Sequence, residues 1–259
     1  DEVITQSFNF IATVEAILDC GAIPIIANIN DTLNLDSEEL PKLISKKTKA
    51  IIPVHMLGVP CEMDKIKSIA KKYNLKIIED AAQAMGSYYK KFHAGSFSDV
   101  AAFSTHPLKN LNALGDGGFI TTNNKKIYTK IKLYRNHGMK KRDYVESYGV
   151  NSRLDVINAE ILKMRLKKLK SINDKRRLNV KIYRENLNNK YIKIPEDKKN
   201  QINSYVMLLS QAEKRDSLQK YLSFNKIQSL VYYGTPLHLH KATKKLGYKR
   251  GSLPMAEKL

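Results

Sequence analysis

Along the first half of the chain, short β-branched and apolar runs alternate with longer stretches whose apolar positions recur every three or four residues. Runs at 23–27, 50–54, 76–79, 100–104 and 118–122 read as strands; stretches at 9–20, 37–45 and 62–73 read as amphipathic helices, the last with Met63, Ile66, Ile69 and Ala70 on one face. Strand–helix–strand alternation predicts an α/β fold with a mostly parallel sheet covered on both faces. Beyond residue 150 the pattern changes. A helix is expected over 152–169, with Leu154, Ile157, Ile161, Leu162 and Leu169 sharing a face. It leads into a smaller α+β unit with strands at 191–194, 205–210 and 227–233 and a helix at 216–222. The domain reading is therefore a large domain over 1–150, then a connecting helix and small domain over 151–259.

With 259 residues, 42% of them hydrophobic, the chain can bury a substantial core. Its 45 Lys and Arg against 25 Asp and Glu give a formal net charge of +20, which invites a nucleic-acid reading. The basic residues are spread over solvated helix faces, however, with no helix-turn-helix, zinc-finger or aromatic-basic pattern beside them. No nucleic-acid partner is expected; the field suits an anionic small molecule instead. Cys20 and Cys61 follow no ligand spacing and read as reduced thiols, and no metal is expected. Without a bilayer-length apolar run or a signal peptide, the chain is read as cytoplasmic and not membrane-bound. Asp1 and the terminal Ala256-Glu-Lys-Leu259 look interior to a domain, so the chain is expected to be truncated at both ends.

In a parallel sheet, ligands gather beyond the carboxyl ends of the strands. There lie His55, Asp80 with Gln83 three positions on, and Ser104 with Lys109 five positions on. Asp80 alone could cap the next helix. Lys109 stands apart from the surface lysines because an apolar strand precedes it, Pro107 stiffens its turn, and Gly115-Asp-Gly-Gly118 follows. An acid, an amide, a hydroxyl and an amine thus meet at strand ends of one sheet. His55, His106, His137 and His238 have no metal-ligand spacing and read as structural.

Glu79-Asp-Ala-Ala-Gln83, Phe103-Ser-Thr-His-Pro-Leu-Lys109-Asn-Leu, Gly115-Asp-Gly-Gly118, Arg135-Asn-His-Gly138 and Asn151-Ser-Arg-Leu-Asp155 together resemble the successive motifs of the DegT/DnrJ/EryC1/StrS sugar aminotransferases. The likeness spans nearly the whole chain. It implies a fold-type I, aspartate aminotransferase-like architecture and pyridoxal 5′-phosphate (PLP) as cofactor. It further implies that Lys109 is the Schiff-base lysine and proton carrier, Asp80 the partner of the pyridine nitrogen, and Gln83 a donor to the phenolic oxygen. Ser104 would bind the phosphate and Phe10 would stack on the ring, although Phe8 and Phe10 also alternate as core residues do. Asn151 would reach the phosphate of a neighbouring subunit, implying a homodimer with shared sites, or else serve a local turn. The implied reaction moves an amino group, from glutamate, to a keto-sugar carried on a nucleotide. In the family's dehydratase branch a histidine replaces the lysine, and position 109 is Lys. The family's glycine-threonine turn, which helps cradle the phosphate, has no counterpart in this sequence.

Overall fold

The computed structural model describes residues 1–187 and 190–259. The first half runs β1 (Glu2–Gln6), α1 (Ala12–Asp19), β2 (Ile23–Ala27), α2 (Leu40–Leu43), β3 (Thr48–Ile52), α3 (Met63–Lys72) and β4 (Lys76–Asp80). A hairpin of β5 (Tyr88–Tyr89) and β6 (Phe92–His93) follows, then β7 (Val100–Ser104) and β8 (Gly118–Thr121). These build a six-stranded sheet in the order β2-β1-β3-β4-β7-β8, parallel throughout except for β8, which runs antiparallel to β7. The α/β architecture is the expected one.

Periodicity accounts for the helices that cover it. In α3, Met63, Ile66 and Ala70 are buried at helical spacing while Lys71 and Lys72 occupy the last turn, where positive charge complements the exposed carbonyls. Two apolar clusters flank the sheet. One gathers Ile4, Leu40, Ile51, Met63 and Ile66; the other gathers Phe8, Val14, Ile26, Val54 and Leu237. A third, with Ala81, Ala84, Phe103, Leu111, Leu162 and Leu169, packs later helices against the ends of β4 and β7.

The structure differs from the periodicity in informative places. β1 is a sheet strand that hydrophobic patterning misses, because Thr5 and Gln6 are fully buried polar residues. Thr5 Oγ1 donates to Ile52 O, while Gln6 Nε2 donates to Phe8 O and its Oε1 accepts from Leu35 N and Val54 N. The run at 50–54 pairs earlier, as β3, since Pro53 brings no N–H to the ladder.

After α4 (Lys125–Tyr134) and a small hairpin of β9 (Met139–Lys141) and β10 (Tyr144–Val145), the helix expected over 152–169 is two helices. These are α5 (Val156–Leu166) and α6 (Leu169–Leu187), separated by a turn at Lys167 and Lys168. Then come β11 (Ile192–Lys193), β12 (Gln201–Ile202), β13 (Gln211–Ala212), α7 (Arg215–Phe224) and α8 (Pro254–Glu257). The strand expected at 191–194 shrinks to β11, which pairs with β13. No strand forms at 205–210 or 227–233, where Tyr205 and Tyr233 adopt φ of 47° and 53°, outside strand geometry.

The segment around Tyr205 bonds instead to the turn after β3. Ser204 N donates to Gly58 O and Val206 N to Leu57 O. Gly58 has φ +85°, and a Cβ there would lie 2.9 Å from Tyr205 N and 3.0 Å from Gln83 O. Gly58→Ala is expected to lower stability by about 2 kcal/mol or more through combined backbone strain and steric displacement. Urea unfolding checks this; a change within about 0.5 kcal/mol would mean the junction yields freely.

Candidate active site

Successive residues of a strand face opposite sides of its sheet, and β4 ends on two acids. Glu79 is fully buried and Asp80 partly so. Glu79 Oε2 accepts from His55 Nε2 at 2.8 Å and Gly95 N at 2.7 Å; its Oε1 accepts from Phe97 N at 2.8 Å and Ser98 Oγ at 2.7 Å. Burial alone would raise this carboxyl, but the His55, Ser98 and Gly95 donors hold it below the ordinary range. On the far side of its ring, His55 Nδ1 accepts from Cys61 N, which fixes the tautomer that donates from Nε2. Cys61 Sγ in turn donates to Val54 O. His55 is structural. So is His238, buried against Glu257.

Asp80 faces the other way. Its backbone is pinned on both sides, N–H to Pro53 O and C=O from His55 N. Its carboxylate accepts at Oδ2 from Thr13 Oγ1 at 2.6 Å and at Oδ1 from Ala82 N at 3.1 Å. Thr13 sits in the first turn of α1 and takes a hydrogen bond from Asn9 Nδ2 at 2.7 Å. Phe8 is 1% exposed and Phe10 59% exposed, so the alternation resolves into one core ring and one free ring at the sheet's end.

Lys109 comes from the loop after β7. Its amine has no hydrogen bond or ion pair among the described residues, and it is only partly exposed. Burial pulls it below the ordinary lysine range, and the nearby charge of Asp80 partly opposes that pull. The loop is clamped through the next residue: Asn110 Nδ2 donates to Asn173 Oδ1 at 2.7 Å and Ser204 O at 2.8 Å. Asn173 Nδ2 donates onward to Met85 O. Further on, Gly118 has no room for a side chain, since a Cβ would lie 2.5 Å from Phe103 O.

Gln83 is buried with Oε1 accepting from Leu57 N at 2.8 Å, which leaves Nε2 to donate toward Tyr233 Oη at 3.4 Å. Burial pushes the Tyr233 phenol up, so its hydroxyl stays protonated. Ser104 Oγ accepts from His106 N and has no acceptor for its own proton among the described residues. Asn151 lies apart, exposed, accepting from Arg153 Nε and bridged to Asn136. Thus Lys109, Asp80 and Gln83 converge, Ser104 borders them, and Asn151 joins nothing in its own chain's cluster. Sequence reasoning missed Asn9, Thr13, Asn110, Asn173 and the part of Tyr233. For Thr13 the available signal was a β-branched hydroxyl residue in a first helical turn.

Residues 1–259 match the DegT/DnrJ/EryC1/StrS aminotransferase family. The chain belongs to this family. Among its relatives in the family is a dTDP-3-amino-3,6-dideoxy-alpha-D-galactopyranose transaminase of Aneurinibacillus thermoaerophilus, 39% identical over 100% of this chain and 71% of that protein. The fold superposes on DesV of Streptomyces venezuelae, determined with a ketimine intermediate, with TM-score 0.96 and 35% identity over 99% of this chain and 70% of that one. It also superposes on the PLP form of Spr1654 of Streptococcus pneumoniae, with TM-score 0.91 and 26% identity over 100% and 73% of the two chains. In this family member no group of three His, Cys, Asp or Glu capable of holding a metal occurs among the described residues.

Because burial depresses Lys109, its neutral form should appear at lower pH than that of the surface lysines. Removing the opposing charge should lower it further. Competitive acetylation followed by peptide mapping, without PLP, is expected to show Lys109 titrating below the bulk lysines and Asp80→Asn shifting it down again; an upward shift would contradict the proximity of the two groups.

Proposed function

We propose that the chain holds PLP among Lys109, Asp80, Gln83, Ser104 and Phe10 and transfers an amino group, with glutamate as donor, to a keto-sugar carried on a nucleotide. The observation that carries this reading is the amine of Lys109, lowered by burial and without a hydrogen-bond partner among the described residues, near the oriented carboxylate of Asp80. When bound, PLP supplies an electron sink for cleavage of a substrate C–H bond. The residues present fit it. Asp80 is a carboxylate held in acceptor geometry for a ring N–H, Gln83 Nε2 carries a second proton beyond the one directed at Tyr233 Oη, and the Ser104 proton has no acceptor among the described residues. Phe10 offers an exposed aromatic face.

Lys109 Nζ has two tasks in this reading. It would hold the cofactor covalently through Nζ, and when released as a free amine it would take a proton from the substrate and give one back, acting as base and then acid. A depressed amine suits both, since it exchanges protons nearer neutral pH.

The relatives' nucleotide-linked substrates support the acceptor class, and a net charge of +20 raises encounter with a diphosphate. Two free cysteines accord with action in the cytoplasm, and no helix among the described residues is long and apolar enough to cross a membrane. Residues 1–150 would form the cofactor-binding domain and 151–259 the connecting helices and small domain.

A homodimer completes the proposal. Leu108 and Leu114 in the Lys109 loop, and Val156 and Ile157 after Asn151, are 69% to 78% exposed, and Leu114 N bonds to Asn158 Oδ1. A second copy covering this face would carry its Asn151 toward the first copy's cofactor phosphate. Lys109→Ala is expected to cut transamination by about 10³-fold or more, and Asn151→Ala to weaken it. Co-expression of the two should recover activity, since a hybrid dimer contains one intact site. Retained activity in Lys109→Ala would refute the reaction assignment, whereas absence of recovery would refute the shared site.

A further inference from the structure

We propose that Asn9 and Thr13 are positioning residues that orient the Asp80 carboxylate and tie it to the backbone of Phe10. The inference rests on the assignment of Asp80 and Phe10 to the cofactor, and it adds a directional chain of hydrogen bonds behind them. Asn9 Oδ1 accepts from Phe10 N at 2.7 Å, which settles which end of the amide is which. Asn9 Nδ2 therefore faces Thr13 Oγ1, also at 2.7 Å, and an amide nitrogen can only donate. The single proton of the Thr13 hydroxyl must then point to Asp80 Oδ2, 2.6 Å away.

The arrangement is not explained by the helix. Thr13 lies in the first turn of α1, yet Ile11 at the helix start has no side-chain cap, and the Thr13 hydroxyl is directed to a residue 67 positions away. A β-branched residue is a mediocre helix former, and its methyl group alone would serve packing. Asn9 and Thr13 are 3% and 7% exposed, so water does not compete for these bonds. With Ala82 N on Oδ1, both carboxylate oxygens have one protein donor each, which fixes the plane of the group. Each oxygen keeps a further lone pair for a ring N–H. Because Asn9 also holds the Phe10 N–H, the acid at the ring edge and the aromatic on the ring face share one anchor.

The test is equilibrium PLP affinity of the whole protein, read by absorbance titration, with thermal unfolding of the PLP-free variants as a fold control. Thr13→Val, close in shape but without the hydroxyl, is expected to weaken PLP binding about tenfold, and Thr13→Ser to stay within about threefold of wild type. Asn9→Asp offers Thr13 an acceptor and turns its proton away from Asp80. Loss of affinity is expected there too, whereas added negative charge acting alone would strengthen binding to a protonated ring. In an Asp80→Asn background, Thr13→Val should cost no more than about twofold further. Wild-type affinity in Thr13→Val, or a full additive loss in the double variant, would overturn the proposal while leaving the cofactor assignment standing. Unchanged affinity in Asp80→Asn would overturn that assignment and this inference with it.

Discussion

A carboxylate removed from water must be met by donors on every side, and the fully buried Glu79 imposes that requirement on everything around the end of β4. Its four donors come from three places: the His55 ring after β3, the backbone of Gly95 and Phe97, and the Ser98 hydroxyl before β7. Meeting them fixes the ends of three neighbouring strands at once. Asp80, one residue on and facing the opposite side, inherits that rigidity. Removing one of these donors would leave a buried carboxylate underpaired, so the Glu79 cluster is a condition for the placement of Asp80.

Lys109 reaches the same place by a separate route. Its loop is secured by Asn110, held by Asn173 of α6 and by Ser204 O, and Ser204 in turn bonds to the turn at Gly58 and to Ser87. Residues far along the chain therefore set the height of the lysine above the sheet. The Lys109 amine has no hydrogen-bond partner among the described residues; burial lowers it below its ordinary range, and Asp80 limits how far it falls.

The sheet strands other than β1 were legible because apolar runs and their spacing record burial directly. That Asp80, Gln83, Ser104 and Lys109 lie at and beyond the carboxyl ends of β4 and β7 was legible because a parallel sheet gathers its strand ends, while the roles proposed for them came from the family resemblance. Phe8 and Phe10 could not be told apart by alternation; only the fold, which buries the first and exposes the second, separates them. β1 escaped because Gln6 satisfies its amide through bonds to residues 33, 35 and 54, which no local pattern records. Asn9, Thr13, Asn110 and Asn173 escaped for the same reason. Each is a buried polar side chain; Thr13, Asn110 and Asn173 find partners far along the chain, and Asn9, which bonds locally to Phe10 and Thr13, gains its part only through the reach of Thr13 to Asp80. The strand expected at 205–210 failed for another cause: apolar content was right, but a positive φ at Tyr205 turns the backbone out of any ladder.

A crystal structure of the PLP-loaded protein tests the central claim most directly. Continuous density is expected from Lys109 Nζ to the cofactor, with an Asp80 carboxylate oxygen within hydrogen-bond distance of the ring nitrogen and Thr13 Oγ1 still on Oδ2. Cofactor attached to another lysine, or a ring nitrogen facing any group other than Asp80, would contradict it.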